Sequence, residues 1–93
     1  MIEVLHIAGC PTWEETRDLL ERVTGGPVAT RLISSAEEAE EIGFCGSPTV
    51  RVDGIDPWAD QNARVGLACR IYRLPDGRLA GGPNEEMVRA ALR

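Results

Sequence analysis

The side chains of this sequence that could act as nucleophiles, redox groups or soft-metal ligands are three cysteines and one histidine: Cys10, Cys45, Cys69 and His6. The thiolate is the reactive form of cysteine, and an ordinary pKa of about 8.5 leaves most thiols protonated at neutral pH. With a single histidine, no zinc-binding set of familiar spacing can be assembled. The chemistry to look for is therefore that of a cysteine whose surroundings favour the anion.

Cys10 lies in the stretch AGCPTWEE, directly before a segment whose apolar residues have helical spacing. Pro11 suits the first position of a helix, where its missing N–H would have no partner, and this predicts that Cys10 is the N-cap. A helix N-terminus lowers the pKa of a thiol, whereas Glu14 and Glu15 oppose this if they point toward the sulfur. The other interpretation of Cys10 is a small apolar cap without reactivity.

The remaining groups each have a structural interpretation. Cys69 alternates with Ile71 in a predicted strand, which places both on a covered face, where cysteine packs as a small hydrophobe. His6 lies in the first strand and is expected to be a hydrogen-bonded core residue. Trp13, in the first turn of the helix, would shield the sulfur or offer a flat contact to a substrate, or else pack against the loop near Trp58.

The elements that position these residues form one predicted domain, residues 1–93, in the order strand, helix, strand, helix, strand, strand, helix. They are a strand at 2–8, a helix at 12–23, a strand at 28–34, a helix at 36–44, a strand beginning at Pro48, a strand at 68–74 and a helix from Asn84 to near Leu92. A strand, a helix and a strand in succession give a right-handed parallel pair, and the last two strands can be antiparallel. The predicted fold class is α/β, with a four-stranded mixed sheet and helices on both faces.

Composition narrows the classes of function. The 93 residues carry a net charge of −5, which argues against a nucleic-acid backbone as partner. No run approaches the roughly 20 apolar residues of a membrane span, and no basic segment precedes an apolar one at the start. Three cysteines do not suggest a disulfide-stapled secreted scaffold. We expect a cytoplasmic protein that binds neither nucleic acid nor membranes.

This order of elements, together with two short motifs, resembles the thioredoxin and glutaredoxin superfamily. The first motif, Cys10-Pro11-Thr12-Trp13, is similar to the glutaredoxin-type C-P-x-C with its last cysteine replaced. The second, Ser47-Pro48-Thr49, lies where the family has its cis-proline loop. A weaker match is Gly81-Gly82 before the last helix, where many relatives have a glycine that keeps the site open.

The resemblance implies a thioredoxin-like fold with Cys10 as nucleophile and Pro48 beside it after a cis bond. The backbone next to Pro48 would then donate and accept hydrogen bonds with an extended thiol-bearing substrate, as in strand addition. The residues expected to bind substrate are Pro11, Trp13, Ser47, Pro48, Thr49 and Gly82. Trp13 occupies the position of the family's resolving cysteine, which makes a dithiol cycle confined to this motif doubtful.

Cys45 is a candidate for the missing second thiol. The third strand runs antiparallel to the first in this arrangement, so Cys45 would lie at the Cys10 end of the sheet. A disulfide needs Cα atoms within about 7 Å, and three residues before the proline is far for this without loop movement. The other interpretation is a loop cysteine half-buried against the short second helix.

Two classes of function follow. In the first, Cys10, with Cys45 as a second catalytic thiol, exchanges disulfides with glutathione or a protein partner, without a cofactor or a metal. In the second, the domain is a non-catalytic binding module that uses the Pro48 loop, or a carrier that holds a soft metal or cluster through Cys10 and a partner's thiol. The long connection from Ile55 to Gly66 is the expected source of specificity. It contains Asp56, Trp58, Asp60 and Arg64.

Overall fold

The computed structural model describes all of residues 1–93, with three helices, a three-stranded mixed sheet and a separate two-stranded hairpin. The elements are β1 (Ile2–His6), α1 (Trp13–Thr24), β2 (Ala29–Leu32), α2 (Ala36–Ile42), β3 (Thr49–Val52), β4 (Tyr72–Arg73), β5 (Leu79–Ala80) and α3 (Glu85–Ala91). The central strand is β1, which pairs parallel with β2 and antiparallel with β3. The α/β class and the central position of the first strand are as predicted. None of the helices is both long enough and apolar enough to cross a membrane.

Alternation of side chains along β1 builds a hydrophobic cluster on each face of the sheet. Val4 packs with side chains from α1, β3 and α3, while Leu5 packs with side chains from α2 and its flanking segments. The two clusters consist of Val4, Leu20, Val50 and Val88 on one face and of Leu5, Ile33, Ala39 and Phe44 on the other. Helices therefore cover both faces, as the sequence predicted.

Two helices begin where their capping residues predict. The side chain of Ser35 accepts a hydrogen bond from the N–H of Glu38 at 3.1 Å and caps α2. The side chain of Asn84 accepts one from the N–H of Met87 at 2.9 Å and caps α3. Each cap satisfies an N–H that has no partner inside its helix, so these starts depend on local sequence alone.

The prediction of a fourth strand in the main sheet is wrong. Only β4 is regular in that segment, and it pairs with β5 in the separate hairpin. The preceding residues form one isolated parallel bridge, between Ser47 and Cys69.

The side chains of this segment also alternate in the opposite sense to the prediction. Tyr72 is 3% exposed, whereas Ile71 is 64% exposed and Cys69 is also on the surface. The inward position suits Tyr72 because its hydroxyl donates to the carbonyl of Pro48 at 2.5 Å. Since neighbouring residues of an extended segment face opposite sides, burial of Tyr72 turns Ile71 and Cys69 outward.

Candidate functional site

Cys10 lies in the turn between β1 and α1, not at the cap of the helix. The N-cap of α1 is Thr12, and the helix begins at Trp13, so the predicted cap position of Cys10 and helical position of Pro11 are both wrong. The N–H of Cys10 bonds to the carbonyl of Ile7 at 3.3 Å and closes a turn before the helix starts. Pro11 is exposed beside it.

Several hydrogen-bond donors favour the anionic form of the Cys10 sulfur, although the residue is only 7% exposed. Burial favours the neutral thiol, but hydrogen bonds from the hydroxyls of Ser47 and Thr12 and from the backbone N–H groups of Thr12 and Trp13 outweigh it, so that the pKa of Cys10 lies below its ordinary value. The N–H of Trp13 belongs to the first turn of α1, where no helical carbonyl accepts it. The helix therefore still favours the anion, in the direction that the sequence predicted.

Ser47 is the one of the two hydroxyls whose proton has no other acceptor within the chain. Its oxygen accepts a hydrogen bond from the N–H of Ile7 at 3.2 Å, which leaves its own proton free for the sulfur of Cys10. The hydroxyl of Thr12 lies 3.7 Å from that sulfur but also donates to the carbonyl of Gly81 at 2.9 Å. A hydroxyl has one proton to donate, so Thr12 must give up Gly81 to bond the thiolate.

Gly81 and Gly82 allow the backbone before α3 to approach the start of α1. A Cβ atom at Gly81 would lie 2.7 Å from Cγ2 of Thr12, and one at Gly82 would lie 2.6 Å from Oγ1 of Thr16. Both glycines line a cavity of about 500 Å³ that also includes Thr12 but not Cys10. Gly82 therefore allows close packing beneath the turn that contains Cys10. Its predicted contact with substrate stays a prediction.

Trp13 is engaged by two neighbours within the chain. Its ring stacks on His6 with 3.7 Å between ring centroids, and the guanidinium carbon of Arg17 lies 5.1 Å from the centroid of the Trp13 ring. Burial lowers the pKa of His6, whose Nδ1 atom has no hydrogen-bond partner. His6 is a core residue as predicted, but that nitrogen is not hydrogen-bonded. Trp58 instead packs edge-on against Tyr72.

The loop before β3 is covered by other parts of the chain. The Ser47–Pro48 bond is cis, as expected, but both residues are almost completely buried. Thr49 is also buried, and its hydroxyl donates to the carbonyl of Gly46 at 2.6 Å.

The expectation that the backbone beside Pro48 is free for strand addition is wrong. The N–H of Ser47 bonds to the carbonyl of Ala68 at 2.8 Å, and the carbonyl of Ser47 accepts from the N–H of Arg70 at 2.9 Å. Both backbone groups of Ser47 are therefore occupied within the chain.

Residues 66–70, which we call the strap, lie against the loop before β3 and are anchored by Arg70. Its guanidinium bonds to Asp56 at 2.6 Å and to the carbonyl of Trp58 at 2.6 Å. A Cβ atom at Gly46 would lie 2.9 Å from Cβ of Arg70, so the strap contacts the loop as closely as glycine allows. The other end is fixed where the N–H of Gly66 bonds to the carbonyl of Phe44 at 3.0 Å.

Cys45 and Cys69 line a cavity to which Cys10 does not contribute. The cavity has a volume of about 570 Å³ and is also lined by Arg70 and Trp58. The thiol of Cys45 donates to the carbonyl of Gly43 at 3.4 Å. All three cysteines are free thiols. A catalytic role for Cys45 stays a prediction.

The sequence indicated no role for Thr12, Arg70 or Tyr72, whereas Asp56 belongs to the connection from Ile55 to Gly66 that is the expected source of specificity. For Thr12, the available signal is the glycine pair at 81–82, which indicates a close backbone approach. Arg70 and Asp56 are 14 residues apart, and no local pattern indicates their pairing. No group of three or more His, Cys, Asp or Glu side chains is arranged to hold a metal ion.

Comparison of the chain with known proteins finds no matching family model, no matching curated protein and no matching solved structure.

Proposed function

We propose that the protein is a thiol-dependent redox protein in which Cys10 is the nucleophile of thiol–disulfide exchange. The observation that carries this proposal is the set of donors around the sulfur. Ser47 offers a free hydroxyl proton, and Thr12 and Trp13 offer backbone N–H groups. A plain structural cysteine needs no such donors, whereas a nucleophilic thiolate is stabilised by them.

The proposed reaction begins with attack of the Cys10 thiolate on one sulfur of a disulfide. A new S–S bond forms to Cys10, the old one breaks, and the departing thiolate takes a proton from water. A second thiol then attacks the mixed disulfide and releases Cys10. Trp13 stands where the motif would have its resolving cysteine, so the second thiol comes from a low-molecular-weight thiol or from Cys45.

We further propose that the fold is thioredoxin-like, with the fourth strand of its sheet reduced to the bridge between Ser47 and Cys69. The parallel β1 and β2, the antiparallel β3 and a cysteine in the turn before α1 support this assignment. A free thiol chemistry of this kind requires a reducing compartment, for which we propose the cytoplasm.

The experiment is reduction of a glutathione mixed disulfide by purified protein, with glutathione as the final reductant. Cys10→Ser is expected to abolish the activity because the attacking sulfur is gone. Cys69→Ser is the matched control, since it removes an exposed thiol by the same substitution. Activity that survives in Cys10→Ser would refute the proposal.

A further inference from the structure

We infer that the strap, held by Arg70 and Asp56, is a specificity element that excludes extended polypeptide disulfides from Cys10 and leaves the site to compact ones. This inference rests on the proposed function. It concerns which disulfides reach the sulfur.

The backbone N–H and C=O groups of Ser47 are already paired within the chain. A polypeptide that binds by strand addition needs an unpaired N–H and C=O on the edge that it joins. Those of Ser47 already bond to Ala68 and Arg70 at 2.8 and 2.9 Å, in a parallel bridge that places Cys69 opposite Ser47. The strap therefore lies where an added strand would lie.

The strap is held in place by buried contacts. The ion pair of Arg70 and Asp56 is mostly buried, with 11% and 18% of the two side chains exposed. Arg70 also donates to the carbonyl of Trp58, and the hydroxyl of Tyr72 donates to that of Pro48 just beyond the strap. A polypeptide would have to displace these bonds before it could pair with Ser47.

With the strap in place, access to Cys10 differs from access to Ser47. Cys10 is 7% exposed and Ser47 is 1% exposed, so Cys10 is the more accessible residue of the two. Attack on a disulfide needs contact with one sulfur atom, and no backbone pairing. A compact disulfide can meet this requirement while the strap stays in place.

The test compares two disulfides that share one leaving group, thionitrobenzoate. One carries β-mercaptoethanol and the other carries the cysteine of a short extended peptide. Attack by Cys10 forms the mixed disulfide with either carrier and releases coloured thionitrobenzoate, whose absorbance gives the rate. Cys45 and Cys69 are replaced by Ser throughout, so that only Cys10 reacts.

The protein is expected to react faster with the β-mercaptoethanol disulfide than with the peptide disulfide. Asp56→Asn weakens the hold on Arg70 and is expected to raise the peptide rate by about tenfold, because the rate scales with the fraction of molecules whose strap is open. The rate with the small disulfide should stay unchanged. Asp76→Asn, which removes an exposed partner of Arg78, is the matched control and should alter neither rate.

Hydrogen exchange at the N–H groups of Ser47 and Arg70 gives a second readout. Both should be protected in the parent protein and lose protection in Asp56→Asn before the core strands do. Equal rates with the two disulfides in the parent protein, or a peptide rate that Asp56→Asn leaves unchanged, would overturn the role of the strap alone. Absence of reaction with both disulfides would overturn the proposed function and this inference with it.

Discussion

Ser47 joins two regions that use opposite parts of the same residue. Its hydroxyl faces Cys10, where the donors of Thr12 and Trp13 also converge on one sulfur. Its backbone faces the strap, where N–H groups and the guanidinium of Arg70 bond to carbonyls and to Asp56. On the Cys10 side, hydrogen-bond donors converge on a titratable thiol. On the other side, hydrogen bonds fix the position of the strap.

The cysteines of the two regions differ accordingly. The sulfur of Cys10 is bonded by donors, which suit a thiolate, whereas the thiol of Cys45 is itself a donor to the carbonyl of Gly43. Cys69 is the most exposed of the three, yet no hydrogen-bond donor contacts its sulfur. Cys10 is therefore distinguished from the other two cysteines by the donors around its sulfur and not by exposure.

The largest effect is expected on the strap side. Arg70→Ala removes four hydrogen bonds and leaves the mostly buried carboxylate of Asp56 without its charged partner, so the free energy of unfolding should fall by about 3–5 kcal/mol. Urea denaturation measures the change. Arg78→Ala, from an exposed ion pair, is the control and should change stability by less than about 1 kcal/mol. Similar losses from both substitutions would show that the strap is not specially anchored.

A smaller loss of stability is expected beneath the Cys10 turn. Gly82→Ala places a methyl group against Oγ1 of the buried Thr16, which bonds to the carbonyl of Thr12 at 3.1 Å. Thr16 must move to make room, and the expected destabilisation is about 1–3 kcal/mol.

The matched control for this change is Gly26→Ala. A Cβ at Gly26 meets no atom within 4 Å, and its backbone does not need a positive φ. Thermal and urea denaturation should therefore show little change there. If the two alanine variants were equally stable, close packing at residue 82 would not support the Cys10 turn.

The smallest effect is expected at the link between the two regions. Ser47→Ala removes the hydroxyl that bonds the Cys10 thiolate but keeps the backbone pairs with the strap. The rate of Cys10 alkylation below neutral pH should fall by about fivefold, as expected for one hydrogen bond of about 1 kcal/mol. Ser34→Ala, at an exposed serine, is the control. An unchanged rate in Ser47→Ala would show that the Ser47 hydroxyl does not stabilise the Cys10 thiolate.

Local signals predicted most of the elements but only part of the site. The caps at Ser35 and Asn84 and the alternation along β1 depend on neighbouring residues, and the structure follows them. The strap depends on Arg70 finding Asp56 and on Tyr72 finding Pro48, which are contacts between distant positions. Hydrophobic alternation alone predicts that Ile71 is buried. It contains no information about the buried partner of a tyrosine hydroxyl.

The start of α1 also depends on a contact that the local sequence pattern does not reveal, although the residues involved are close in the chain. Pro11 fits the first position of a helix, but a proline one residue before the cap is equally free of a required N–H. The turn that bonds Cys10 to Ile7 decides between the two, and it requires the end of β1 to be in place. The direction of the effect on the thiol could still be predicted, because the N–H groups of the first turn reach the sulfur in either case.

The lowered pKa of Cys10 also has a consequence for stability. Between the pKa of the folded protein and that of the unfolded chain, the unfolded chain binds more protons at Cys10. The contribution of this thiol to the free energy of unfolding therefore rises with pH over that range and is lost as the pH falls through the folded pKa. Replacement of Cys10 by Ala should remove this part of the pH dependence.

The proposed chemistry depends on the donors around the sulfur of Cys10, which favour its thiolate and lower its pKa. The most direct test is the rate of iodoacetamide alkylation as a function of pH, in protein whose Cys45 and Cys69 are replaced by Ser, with glutathione as the reference thiol. We expect an apparent pKa for Cys10 below the value of about 8.5 of an ordinary cysteine. An apparent pKa at or above that value would contradict this role of the donors.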